Sequence, residues 1–208
     1  MISVITRRCT VCPFSLLLKD EPVTFLLKDA QFRQITDVHE YRFNDICPED
    51  VVVDIGANVG AFCIRAARIS SNVTAVEPVT AALLKNNIQA NGVSVHVIEG
   101  ALGDGKPAGI CWDECRVFTP TYTLRRILEL AGGCDFLKCD CEGAEWLINP
   151  PELAGVRRIE MELHQPPIGG RPNPALLDYI GEHYNFEIDR KPVHAALGLM
   201  GVLHAIRR

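Results

Sequence analysis

No stretch of this chain is both apolar enough and long enough to cross a bilayer. The last greasy run, 193–206, carries His194 and His204 and falls short of the roughly 20 apolar residues that a spanning helix needs. Met1 to Thr10 lack the apolar centre of a secretory leader, so the expected setting is cytoplasmic, without a membrane partner. An excess of positive charge is also missing. Lys and Arg number 21 against 26 Asp and Glu, a formal net charge of -5, whereas a protein that depends on non-specific phosphate contacts carries the opposite balance. Arg125-Arg126 and Arg157-Arg158 leave room for a local basic patch, but nucleic acid is not the expected partner. Nor is there an even set of cysteines. Nine, in varied surroundings, do not make a secreted disulfide framework, and Cys63, Cys139 and Cys141 sit where a small core residue would serve. Cys9-x-x-Cys12 and Cys111-x-x-x-Cys115 hold thiols enough for zinc. The first pair lies in a strand-like run, however, and nothing sets the second beside it, so no metal is expected there.

What the chain does have is a core and one highly organised turn. Its 208 residues are 48% apolar, the size and composition of one domain with a full interior. Val51-Val52-Val53 reads as a buried strand, and Phe62, Ile64, Ala66, Ala67 and Ile69 suit a helix packed on a sheet. Between them runs Asp54-Ile55-Gly56-Ala57-Asn58-Val59-Gly60. Gly56 and Gly60 would let backbone approach a ligand with no side chain in the way, Asn58 tolerates unusual dihedrals, and Asp54 ends the strand as a charge facing a crevice. A dinucleotide fingerprint, Gly-x-Gly-x-x-Gly, is absent. Asn58 takes the place of its second glycine and Ala61 that of its third, and Asp54 would repel a pyrophosphate. An acid at that point suits the ammonium of an amino-acid moiety, which favours S-adenosyl-L-methionine over NAD. The next apolar run, Val73-Thr74-Ala75-Val76, ends in Glu77, about 20 residues past the glycines, where a carboxylate can accept both ribose hydroxyls.

Residues 1–46 lack the α/β rhythm of the remainder. Two similar runs, Phe14 to Asp20 and Thr24 to Asp29, predict an antiparallel β-hairpin, an N-terminal extension packed on a domain formed by 47–208. Tyr41 and Phe43 follow as core residues or, for Tyr41, as cover for the methionine end of the cofactor and hence part of the substrate site. Beyond Glu77, strand and helix alternate. A helix over Thr80 to Asn91 stops at Gly92, and the strand Val93 to Ile98 exits through Glu99 to Asp104, where an adenine would rest. Gly105 to Cys115 forms a short excursion, Thr123 to Leu130 a helix, Asp135 to Asp140 a strand, and Gly143 to Ile148 the start of another helix.

Four stretches together resemble the FkbM-type family of S-adenosylmethionine-dependent methyltransferases: Asp54 to Gly60, then Val76-Glu77-Pro78, then Leu137-Lys138-Cys139-Asp140-Cys141-Glu142-Gly143-Ala144-Glu145, and Ile159-Glu160-Met161-Glu162-Leu163-His164. The likeness runs from Thr24 to near the end, and its most specific element is the Lys-x-Asp-x-Glu-Gly-Ala-Glu pattern. Cys139 and Cys141 depart from the β-branched residues usual in the family and leave the charged positions untouched. The resemblance implies the Rossmann-like class I methyltransferase fold, an α/β architecture with a seven-stranded, mostly parallel sheet and an antiparallel last strand. Val156 to His164, Phe186 to Ile188 and Met200 to Ile206 then supply the later strands, with a helix over Pro174 to Tyr184. It also implies that Asp54, Gly56, Asn58, Gly60, Glu77, Ala101 and Leu102 bind the cofactor, and that the acceptor is a sugar or other small-molecule hydroxyl. An RNA methyltransferase of the same fold and a non-catalytic binder of the cofactor remain as alternatives.

Asn149-Pro150-Pro151 spells the signature that amino-group methyltransferases place directly after the fourth strand. Here a helical segment intervenes, so the tripeptide reads as a stop and turn, which shifts weight to oxygen acceptors. Because side chains alternate along a strand, Lys138 and Asp140 share one side of the fourth strand, and Glu160, Glu162 and His164 one side of the fifth. The expected arrangement pairs Lys138 with Glu160 or Glu162 and leaves Asp140, Glu142 and His164 facing the methyl group, with His164 as the base. A divalent metal held by the same three residues is the rival arrangement. Pro166 to Pro174, with Arg171, is expected to form part of the acceptor pocket because it leaves the carboxyl edge of the sheet.

Overall fold

β1 (Cys12–Leu18) and β2 (Glu21–Leu27) pair antiparallel from Cys12↔Leu27 to Leu18↔Glu21, the hairpin that their similar apolar runs predict. In this computed structural model the described residues are 12–18, 21–27, 41–112, 115–166, 170–190 and 198–208. After the hairpin come β3 (Val51–Ile55), α1 (Ala61–Ala66), β4 (Asn72–Glu77), α2 (Ala81–Ala90), β5 (His96–Glu99) and β6 (Ala101–Leu102). β7 (Ala108–Trp112), β8 (Cys115–Thr119), β9 (Thr121–Tyr122), α3 (Leu124–Ala131), β10 (Phe136–Cys139) and β11 (Arg158–His164) follow. The chain closes with α4 (Pro174–His183), β12 (Tyr184–Asp189) and β13 (Leu199–Arg207). Among the described residues no helix is long and apolar enough to cross a membrane.

The seven-stranded sheet has the order β12-β13-β11-β10-β3-β4-β5, and only β13 runs antiparallel to its neighbours. From β3 the chain builds outward through β4 and β5, then returns to build the other half through β10 and β11. The order therefore reverses between β3 and β10, and a crevice at the carboxyl ends of those strands is the place where open sheets of this type take ligands. Both faces are covered. Phe62, Ile64, Leu84 and Ile88 of α1 and α2 pack on one, and Leu124, Ile127, Leu176 and Ile180 of α3 and α4 on the other. Strand alternation sorts the side chains accordingly: Val52 and Phe136 belong to the first layer, Val53, Ile55, Leu137 and Met161 to the second.

Local chemistry sets the helix ends. Thr123 caps α3 by accepting the Arg126 amide, Gly132 ends it at φ 80°, and Asn173 caps α4, with Pro174 as its first residue. One expectation fails here. The segment after β10 is a single 3₁₀ turn, Ala144–Leu147, because Gly143 enters it at φ 102° and the chain extends again at Ile148. The excursion expected over Gly105 to Cys115 takes the form of an antiparallel hairpin, β7–β8, paired from Ala108↔Thr119 to Trp112↔Cys115.

Candidate active site

The glycine turn is built for internal packing as much as for ligand approach. Gly56 has φ +74°, and a Cβ on it would stand 1.7 Å from the Asp140 carbonyl oxygen, so the turn after β3 and the exit of β10 touch only because no side chain intervenes. A Cβ on Gly60 would meet Ile64 and Leu84 at 2.8 Å, so this glycine serves the packing of α1 on α2. Asn58 takes φ 49°, which asparagine tolerates. Its amide donates to Glu77 Oε2 at 2.8 Å, while Glu77 Oε1 accepts the amides of Val79 at 2.6 Å and Thr80 at 2.9 Å. Three of the carboxylate's four lone-pair sites are thus filled from the backbone, which leaves one for a ligand rather than the two that the sequence suggests.

These residues wall a pocket of about 160 Å³ at the switch point. Gly56, Asn58 and Glu77 line it together with Ala101, Leu102, Asp140 and Glu142, seven of the residues expected at the site. Ile110 and Cys111 of the β7–β8 hairpin and Cys141 line it as well, none of them foreseen. Cys141, expected as a core filler, is half-buried, with its sulfur 3.3 Å from that of Cys139.

Asp54 and Gly60 do not reach the pocket wall. Asp54 is fully buried: Oδ2 accepts the Cys63 amide at 3.1 Å and Oδ1 lies 3.1 Å from the Lys138 ammonium. This corrects the expected pairing. Lys138 stands level with both Asp54 on β3 and Glu160 on β11, but Glu160 is already held by Arg158 at 2.5 Å, His204 at 2.6 Å and the Arg42 amide at 3.0 Å. Lys138 turns to the other neighbour, donates to the Gly56 carbonyl at 2.8 Å and lies 3.7 Å from Asp140. Burial disfavours its ammonium, yet Asp54 and Asp140 outweigh that and hold its pKa above the ordinary lysine value.

Behind the pocket stands His164, 6% exposed, at the end of β11. Its Nε2 is 3.3 Å from Glu162, 3.6 Å from Glu142 and 3.8 Å from Asp140, and its Nδ1 is 3.5 Å from Glu145. Burial opposes a charged ring, but Glu145, Glu162, Asp140 and Glu142 overcome it and push the pKa up to about 11. Carboxylates on every side thus favour the protonated ring, which weighs against His164 as an unassisted base. Asp140 is pushed up as well, to about 7, by burial together with Glu162 and Glu142, against the pull of Lys138 and His164. Tyr41 is buried and joins this cluster by donating its hydroxyl to Glu162 at 2.6 Å and Asp140 at 3.2 Å, with its ring edge-on to Phe62.

Glu145, given no role from sequence, ties the cluster together. Its carboxylate accepts the His164 amide at 2.6 Å and the Gly143 amide at 2.9 Å, joining the β10 exit to the end of β11. Its place in the Lys-x-Asp-x-Glu-Gly-Ala-Glu pattern was the available signal. Glu142 is held at φ 55°, a conformation that costs a residue of its kind on the order of 1 kcal/mol or more. Arg171 is exposed and does not line the pocket, and residues 167–169 of its loop, like Cys9 of the first cysteine pair, lie outside the described residues. Asn149 is exposed and opens the 3₁₀ turn Pro150–Leu153, away from the pocket wall.

Solved structures share this architecture. A T. thermophilus 16S rRNA N2 G1207 methyltransferase in complex with AdoMet and guanosine superposes with a TM-score of 0.53 at 15% identity, over 96% of this chain and 51% of that one. A precorrin-6y C5,15-methyltransferase from Geobacter metallireducens gives 0.51 at 11% identity, over 87% and 89%. The fold is that of the class I methyltransferases. A dimethyladenosine transferase from Plasmodium falciparum gives 0.52 at 10% identity, over 85% of this chain and 62% of that one. The chain thus spans about half the length of the T. thermophilus enzyme. No family model and no curated protein sequence matches it.

Proposed function

We propose that this chain binds S-adenosyl-L-methionine in the pocket and directs its methyl group to a hydroxyl oxygen of a small molecule or glycan. One observation supports the reading above the others: the glycine turn, Glu77 and the Asp140–Glu142 segment, far apart in sequence, wall a single pocket at the switch point of a class I methyltransferase sheet. The residues present suit the cofactor. Glu77 has one acceptor site free for a ribose hydroxyl, and the Ala101-Leu102 strand offers small side chain and backbone to a base. Asp54 takes no direct part in this reading, because Lys138 and the Cys63 amide already occupy it; its role is to hold the turn.

When bound, the sulfonium supplies an electrophilic methyl group. The chain's task is to place an acceptor oxygen in line with it and to receive the hydroxyl proton. Asp140 and Glu142 are the carboxylates at the pocket wall, and Tyr41, Lys138 and His164 hold Asp140 in place from behind. With the methyl group passing from the sulfonium sulfur to the acceptor oxygen, Asp140 would receive the hydroxyl proton, and the products would be a methyl ether and S-adenosylhomocysteine. The FkbM-type assignment draws its support from the Lys138 to Glu145 motif. An RNA acceptor draws its support from the T. thermophilus neighbour's own 16S rRNA substrate. Against it, the pocket wall carries Glu77, Asp140 and Glu142 and, among the described residues, no Lys or Arg to meet a phosphate.

Calorimetry with S-adenosylhomocysteine, followed by labelled-methyl transfer to a panel of sugars, polyols, phenols and RNA, tests both levels. Micromolar binding and an alkali-stable methyl ether on a hydroxyl compound are expected. Absence of cofactor binding overturns the whole reading, and methylation confined to RNA bases overturns the acceptor class.

A further inference from the structure

Behind the pocket wall, four carboxylates converge on one buried imidazole. Nε2 of His164 faces Glu162 at 3.3 Å, Glu142 at 3.6 Å and Asp140 at 3.8 Å, all longer than the roughly 2.7 to 3.2 Å of an ordinary N–H···O hydrogen bond. Donor atoms of Asp140, Glu142 and His164 lie within 4.8 Å of one another. Around a divalent transition-metal ion with bonds of about 2.0 to 2.2 Å, adjacent donors stand about 3.0 to 3.4 Å apart and opposed ones about 4.2 Å. The distances from Nε2 to Glu142 and Asp140 exceed an adjacent-donor spacing by less than about 1 Å, within reach of small side-chain rotations.

A second feature is independent of the acidic ring. Nδ1 of the same imidazole, fully enclosed and without a hydrogen bond, faces Glu145 Oε1 at 3.5 Å, and that carboxylate is itself anchored by the amides of His164 and Gly143. A carboxylate behind one ring nitrogen, with the other nitrogen aimed into a set of oxygens, is how metal-ligating histidines are oriented. Charge points the same way. Lys138 is divided between Asp54 and Asp140, and among the described residues no other Lys or Arg forms an ion pair with Glu142, Glu145 or Glu162.

We propose that Asp140, Glu142 and His164 form a binding site for one divalent transition-metal ion of intermediate softness, Mn2+ or Zn2+, at the floor of the pocket. One imidazole nitrogen with carboxylate oxygens suits such ions better than Ca2+ or Mg2+, which take all-oxygen sets. The ion binds Nε2 in place of its proton, which leaves to solvent. Asp140 and Glu142 also line the pocket, so open positions of the ion face the acceptor. There it would bind the acceptor oxygen and take over from Asp140 the acidification of the hydroxyl. That last role rests on the proposed function; the site itself does not.

The test uses the full chain, stripped with chelator and titrated with Mn2+ while the free-ion paramagnetic resonance signal is followed, without methyl donor or acceptor. One ion per chain is expected, with an imidazole nitrogen coupling in the bound spectrum. His164→Asn should abolish that coupling, and Glu145→Gln should weaken binding about 10- to 100-fold. Glu142→Gln, at a side chain 58% exposed, keeps the test usable if the buried variants unfold, and it too should weaken binding. Absence of Mn2+ binding at millimolar concentration, or binding unchanged in a folded Glu142→Gln, overturns the site. Because no methyl transfer is read, failure here leaves the methyltransferase reading standing, and failure of that reading leaves the ion count unaffected.

Discussion

Glu77→Gln separates cofactor recognition from folding. The parent carboxylate is 5% exposed and serves the amides of Asn58, Val79 and Thr80, so truncation to alanine strands three donors at once. The cost is about 1 to 3 kcal/mol for each donor that water cannot reach. Glutamine keeps the shape and one oxygen, and that oxygen can still accept from Val79 and Thr80. What it loses is the charge and the second oxygen, which carries both the Asn58 contact and the free lone pair facing the pocket. A charge-assisted hydrogen bond to a ribose hydroxyl is worth about 1.5 to 3 kcal/mol, so the dissociation constant for S-adenosylhomocysteine should rise roughly 10- to 150-fold. Calorimetric titration of parent and variant, beside thermal melts of both, reads the two effects separately. A glutamine variant that melts like the parent and binds as tightly would refute the assignment of Glu77 to the ribose.

Lys138→Met leaves the fully buried Asp54 without its ammonium and should cost about 3 to 5 kcal/mol in urea unfolding; a loss under about 1 kcal/mol would mean that the pair carries little. Tyr41→Phe keeps the ring against Phe62 and removes the hydroxyl that holds Asp140 and Glu162. Turnover should fall with cofactor affinity unchanged, and stability should drop by about 1.5 to 3 kcal/mol, whereas unaltered turnover would make Tyr41 a core residue only. Gly56→Ala drives a Cβ into the Asp140 carbonyl, so it should abolish cofactor binding and lower the melting temperature by more than the Tyr41 change; a stable, cofactor-binding alanine variant would contradict the close approach.

Much of the fold was legible in the chain itself, because it depends on short-range periodicity. Val51-Val52-Val53 and Leu137 alternate across two buried faces, and Thr123, Asn173, Gly92 and Gly132 mark helix ends by local hydrogen bonding and dihedral preference. The pocket-lining residues Gly56, Asn58, Glu77, Asp140 and Glu142 were legible too, since each sits at the carboxyl end of a strand whose direction the α/β alternation dictates. Tertiary structure alone decided how the charges are used. Strand period places Lys138 on the correct face but level with Asp54 and Glu160 alike, and only the prior engagement of Glu160 by Arg158 and His204 sends the ammonium toward β3. The role of Glu145 depended on a 3₁₀ turn in place of a helix, and the ionisation of His164 on four carboxylates brought from β10, its exit turn and β11. Propensity and period act over a few residues, whereas electrostatic energy depends on distances between groups that only the folded chain brings together.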